Sequence, residues 1–172
     1  VAVVEGALRY GKCVVVDDGS TDCTADCARQ AGAIVVVHAK NLGYDAALNS
    51  GCKAAASIDC DAIITLDADG QHNPALLEQF INRLNSGAGM VLGVRNQRPR
   101  IAEHVFAWYT NCRFGIADPL CGMKAYRIGL YRALGHFDRR GSIGTELMLF
   151  GARHGFKTAS VPFDVGERIG QP

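Results

Sequence analysis

The sequence predicts an α/β domain: a mostly parallel central sheet with helices on both faces. Three observations point there. Short β-branched runs alternate with helix-length stretches, the runs are apolar throughout, and polar clusters follow the ends of the runs. Strands that alternate with helices build βαβ units around a parallel sheet. Continuous apolar runs fit strands covered on both faces. Ligands of such sheets bind beyond the carboxyl ends of the strands. Asp17-Asp18, Asn41, Asp67-Ala68-Asp69 and Arg95 fall at those ends.

The elements follow in order. Residues 2–10 read as a helix stopped by Gly11. Residues 13–16 form the first strand, and the segment from Thr21 opens a helix that runs to Gln30 and stops near Gly32. Residues 33–37 are the second strand, 44–56 a small-residue helix and 62–66 the third strand. Residues 74–84 form a helix with Pro74 in its first turn, where a missing N–H costs little. Residues 89–94 are the fourth strand, 101–114 an amphipathic helix, 118–122 a loop and 123–126 a short strand. Residues 143–154 close the helices and 156–162 the strands. Phe106, Trp108 and Tyr109 are expected to pack in the core, with an acceptor wall or a membrane-facing patch as the alternative.

A chain of 172 residues suits one domain. A hydrophobic content of 48% with 20% charged residues describes an ordinary globular protein. The 18 Lys and Arg against 17 Asp and Glu leave a net charge of +1, so no nucleic-acid partner is expected and any anion site must be built locally. Seven cysteines, an odd count with no C-x-x-C pair, predict free thiols in a reducing, cytoplasmic setting. Cys23 and Cys27 share a helix face without further zinc ligands, so the cysteines are expected as small hydrophobes. No run reaches the roughly 18 apolar residues of a membrane span.

Asp67-Ala68-Asp69-Gly70 is the sharpest motif. Two carboxylates one residue apart, just past a strand, can face one hard cation, Mg²⁺ or Mn²⁺, which also takes phosphate oxygens. Gly70 permits a tight turn, and Gln71 and His72 can add ligands or orienting contacts. The alternative is a polar turn with Asp as a helix cap. An EF-hand would place Glu78 at its twelfth position but needs glycine where His72 stands. A phosphatase using D-x-D-G would want Thr at Gln71 and no preceding βα units. A second acidic pair, Asp17-Asp18, precedes Gly19, Ser20, Thr21 and Asp22, some of which serve as helix caps. Two adjacent carboxylates repel and favour a cation or hydrogen-bond donors. No G-x-G-x-x-G or P-loop pattern is present.

In order and spacing, V-V-V-D-D-G-S-T-D, N-L-G-Y-D-A-A-L-N-S-G, I-T-L-D-A-D-G-Q-H, G-V-R and D-P-L-C-G-M-K-A-Y-R resemble glycosyltransferase family 2 over nearly the whole chain. The branch is that of dolichyl-phosphate mannose synthase and the polyprenyl-phosphate sugar transferases. The resemblance implies a GT-A-type fold and a single catalytic domain over residues 1–172, expected to lack its N-terminal first strand. It implies metal-dependent, inverting hexosyl transfer from a UDP- or GDP-sugar, with Mg²⁺ or Mn²⁺ as cofactor. The implied acceptor is a polyprenyl or dolichyl phosphate, reached by peripheral association with the cytoplasmic face of a membrane. By the same resemblance Asp17, Asp18, Gly19 and Asn41 bind the donor; Asp67, Asp69 and Gln71 hold metal and diphosphate; Arg95 and Arg168 meet phosphates. Asp118 lies near the acceptor as a candidate general base, while a phosphate acceptor, already anionic at neutral pH, would need it only for positioning. Asp45 stands where many relatives carry a small or basic residue, and Glu146 is either site-facing or structural. The rivals are a metal-dependent phosphatase or nucleotidyltransferase, and a non-catalytic binding module of the same fold.

Overall fold

The computed structural model describes residues 1–96, 101–142 and 144–166. Helix α1 (Ala2–Leu8) precedes β1 (Val14–Asp17), and α2 (Thr24–Gln30) crosses to β2 (Ile34–Val37). These two strands pair in parallel, with Val14 opposite Ile34 and Asp17 opposite Val37. Helix α3 (Tyr44–Ser57) leads to β3 (Ala62–Thr65). A 3-10 turn (Pro74–Leu76) then feeds α4 (Leu77–Asn85) and β4 (Met90–Arg95). Asn73 caps that turn by accepting from the Ala75 N–H at 3.0 Å. Helix α5 (Ile101–Phe114), β5 (Lys124–Arg127), α6 (Ile128–Leu134), α7 (Thr145–Arg153) and β6 (Thr158–Phe163) complete the chain.

The larger sheet has the order β3-β5-β4-β6. Strands β4 and β6 are parallel, and β5 runs antiparallel to both β3 and β4. Three strands therefore point one way, with a reversed strand inserted among them. Successive residues point to opposite faces, and that alternation sorts the core. Met90, Leu92 and Tyr126 face one apolar cluster with Cys52 of α3, Leu130 of α6 and Leu147 of α7. Val91 and Ala125 face the other, with Leu77, Phe80 and Leu84 of α4. Helices on both faces thus follow from apolar residues on both faces of the central strands.

Two expectations are corrected. Helix α6 follows β5 directly and ends on Gly135 in the left-handed conformation, a helix not foreseen. On α5, Trp108 is 69% exposed and Tyr109 54%, so neither packs in the core. Of the cysteines, all free, Cys52 and Cys121 are buried, while Cys23 and Cys112 are exposed. Among the described residues no helix is long and apolar enough to cross a membrane.

Candidate active site

A cavity of about 350 Å³ opens beyond the ends of β3 and β4, lined by Tyr44, Asp45, Asp67, His72, Arg95, Leu120, Gly122 and Val165. Asp67 sits just past β3. Its Oδ1 accepts from the Tyr44 hydroxyl at 3.0 Å. Behind it, the Asp67 N–H donates to His72 Nδ1 at 3.2 Å. Because Nδ1 accepts that bond, the ring carries its proton on Nε2, and burial, which pushes the His72 pKa down, favours the same neutral form. The 3.5 Å approach of Nδ1 to Asp67 Oδ2 is therefore not an ion pair. Gly122 closes over the carboxylate: a Cβ there would lie 2.5 Å from Asp67 Oδ2. Asp69 Oδ1 accepts from the Gln71 N–H at 3.0 Å, which folds the turn back on itself. The Gln71 carbonyl accepts from Gly166 N–H at 2.9 Å, laying the segment after β6 across the turn.

This donor set fits a hard cation. It offers carboxylate and amide oxygens and no thiolate, and the nearest imidazole nitrogen is already occupied by a backbone N–H. Among the described residues no three His, Cys, Asp or Glu side chains form a closed metal cage. Phosphate and water oxygens would have to complete the shell.

Arg95 and Asp118 meet as a fork. Arg95 Nε donates to Asp118 Oδ2 at 2.9 Å and Nη2 to Oδ1 at 3.0 Å, while the backbone N–H of Arg95 adds a third bond at 3.1 Å. Nη2 also donates to Glu103 at 2.9 Å. Asp118 is 1% exposed. A buried carboxylate forked by a guanidinium fits the positioning alternative for Asp118 better than the general-base one. The Arg95 charge, in turn, is already met by two carboxylates.

The acidic pair after β1 is likewise compensated, by hydrogen-bond donors, one of the two outcomes expected of adjacent carboxylates. Asp17 is buried and accepts from Ser20 N–H at 2.8 Å. Asp18 accepts from His38 Nδ1 at 2.6 Å, Leu42 N–H at 2.9 Å and Gly43 N–H at 2.8 Å. Chiefly through the His38 bond, its pKa is lowered. Gly19 adopts φ 79°, and a Cβ there would sit 2.6 Å from the Asn41 nitrogen. Asn41 is exposed, with Oδ1 accepting from Gly43 N–H at 3.0 Å. Asp17, Asp18, Gly19 and Asn41 thus form one ledge at the ends of β1 and β2. Asp18 fixes Gly43 at the head of α3, and the next residue, Tyr44, holds Asp67. Ledge and cavity are joined through that helix.

Arg168 lies outside the described residues. Glu146 is structural: Oε2 accepts from Arg139 N–H at 2.8 Å, and Oε1 lies 3.2 Å from His136 Nε2. Sequence reasoning missed three contributors. Tyr44 was legible as part of N-L-G-Y-D but carried no sign of its partner. Gly122 was visible only as a loop glycine. Lys124 is buried on β5, where burial pushes its pKa down to about 8 and Cys121, Asp118, Asp138 and Asp45 partly offset this. Its signal was a charge between apolar neighbours.

An open sheet with an acidic turn and a cavity at its strand ends fits a GT-A fold, and solved structures show it. Glucosyl-3-phosphoglycerate synthase from Mycobacterium tuberculosis, in complex with Mn²⁺, UDP and phosphoglyceric acid, superposes with a TM-score of 0.75 at 22% identity, covering 99% of this chain and 67% of that one. A mycobacterial protein of known structure matches with a TM-score of 0.77 at 21% identity, covering 99% of this chain. This chain spans 63% of that protein's length. The family profile of glycosyl transferase family 2 matches residues 9–111, and the chain belongs to that family. A dolichyl-phosphate hexose transferase of Haloferax volcanii is 30% identical over 168 residues, covering 92% of this chain and 72% of the relative.

Proposed function

We propose that this glycosyltransferase domain transfers a hexose, with inversion, from a nucleotide-diphosphate sugar to an acceptor in a reaction that needs Mg²⁺ or Mn²⁺. The observation that carries this reading is the Asp67-x-Asp69 turn on a cavity at the strand ends. That cavity presents the carboxylates of Asp45 and Asp67, while Arg95 is offset by Asp118 and Glu103. A diphosphate entering there meets repulsion unless a cation accompanies it. Asp67, Asp69 and Gln71 would hold the metal, which would neutralise charge growing on the leaving diphosphate. The ledge of Asp17, Asp18, Gly19 and Asn41 would carry the nucleoside, and Arg168 would add a cation at the phosphates. The acceptor oxygen bonds to the anomeric carbon as the bond from that carbon to the diphosphate oxygen breaks.

A polyprenyl or dolichyl phosphate is the acceptor we favour. Its oxygen is already anionic, which suits a site whose Asp118 is engaged. The Haloferax relative's name supports it, and so does the exposed apolar face of α5, with Val105 62%, Trp108 69% and Tyr109 54% accessible. Such a face fits peripheral contact with the cytoplasmic side of a membrane. Calorimetry of UDP and GDP with Mn²⁺ or EDTA tests the donor site. Metal-dependent binding of one nucleotide, lost in Asp69→Ala, is expected. Failure of both nucleotides to bind, with or without metal, would overturn the reading.

A further inference from the structure

Asp45 lines the same cavity as Asp67 and Arg95, yet the fold uses its carboxylate differently. Its Oδ1 is buried and has no hydrogen-bond partner among the described residues. By contrast, Asp67 Oδ1 is held by Tyr44 and Asp118 by Arg95. A buried acceptor without a donor is costly, and native structures leave such groups where a ligand completes them.

The position is rigid. Asp45 occupies the first turn of α3, one residue after Tyr44. Its backbone carbonyl accepts from Asn49 Nδ2 at 2.8 Å. The amide oxygen of Asn49 accepts from the Phe137 and Asp138 N–H groups at 3.0 and 3.2 Å. The helix turn bearing Asp45 is therefore fastened to the loop behind the cavity.

The missing partner is a cation or a hydrogen-bond donor, and the cation is assigned to Asp67, Asp69 and Gln71, which leaves a donor. Phosphate oxygens of an ionised diphosphate only accept, and they would be repelled. The nucleoside is assigned to the ledge beyond β1 and β2. What remains of a nucleotide-sugar donor is the neutral sugar, whose hydroxyls donate. We infer that Asp45 is a specificity-determining residue for the transferred sugar, accepting a hydrogen bond from one of its hydroxyls. The inference rests on the donor site proposed above.

The test compares nucleotide with nucleotide-sugar affinity in the wild type, Asp45→Ala and the near-isosteric Asp45→Asn. Calorimetry in Mn²⁺ with UDP, UDP-glucose, GDP and GDP-mannose supplies the ratios. Loss of the charge alters the affinity for free nucleotide in both variants alike, so the reading is the ratio: relative to free nucleotide, Asp45→Ala is expected to bind the sugar nucleotide about ten-fold or more weakly than wild type. Asp45→Asn should fall between. A donor analogue lacking the contacted hydroxyl should lose affinity for the wild type but not for Asp45→Ala. Equal weakening of nucleotide and nucleotide sugar, or unchanged sugar-nucleotide affinity, would overturn the assignment and leave the donor site standing. A wild type that binds no nucleotide would remove the donor site, and this inference with it.

Discussion

Gly122 and Asp67 show how tightly single residues define this site. Any side chain at Gly122 would press on the Asp67 carboxylate, since even a Cβ approaches Oδ2 to 2.5 Å. Gly122→Ala should therefore leave the circular dichroism spectrum intact and weaken Mn²⁺-dependent nucleotide binding about ten-fold. Asp118→Asn keeps the shape of the fork but removes its charge, leaving the half-buried Arg95 paired with Glu103 alone. Losing charged hydrogen bonds in this way should cost about 1.5–3 kcal/mol in urea unfolding. Lys124 offers a pH test. Its folded pKa, about 8, lies below the ordinary 10.5. Between those values the unfolded chain holds more protons, so stability from this group rises with pH. The penalty of burying the ammonium is full below about pH 8 and fades toward about pH 10.5. Relative to Lys124→Met, the wild type should gain on the order of 2–3 kcal/mol between about pH 7.5 and pH 10, read from urea midpoints. Asp67 and Asp69 were legible because they adjoin in sequence. The Arg95–Asp118 fork was not, because its members lie 23 residues apart and only the fold brings them together.

Helices and strands were legible where the chain repeats one pattern long enough. The alternation of apolar runs with helices placed β1 through β4 and α2 through α4. Strand β5 was found, but its direction was not. Four residues, Lys124–Arg127, carry the same side-chain alternation whichever way they run, and only pairing to Thr65 and Leu92 settles it. Helix α6 escaped because it starts at the last residue of a strand with no side-chain cap at its N-terminus. Helix α5 shows a related failure. Its period was right, but aromatic residues are weighed as core by default, and sequence alone does not say which face lacks a neighbour. Because Trp108 is 69% exposed, Trp108→Ser should shift unfolding stability by less than about 0.5 kcal/mol. If α5 contacts a membrane, the same change should reduce co-sedimentation with anionic lipid vesicles. Unaltered sedimentation would remove α5 from that role.

At the scale of the whole molecule, the α/β architecture with helices on both faces was expected from the sequence and is found, but the mostly parallel sheet was not: β1 and β2 form a sheet of their own, and β5 runs antiparallel to both of its neighbours in the larger one. The link between ledge and cavity was not readable, because it depends on α3 tying Asp18 to Asp67 through Gly43 and Tyr44. The reversed strand has a consequence for how the protein is made. β3 and β4 are joined in the sheet only through β5, so the two cannot be bridged until the stretch ending at Arg127 has left the ribosome. At about 5–20 residues per second, translation exposes unpaired edges of β3 and β4 for several seconds. A nascent chain arrested before Lys124 should therefore recruit a holdase and be cut readily by protease, whereas one arrested after β6 has emerged should resist cleavage.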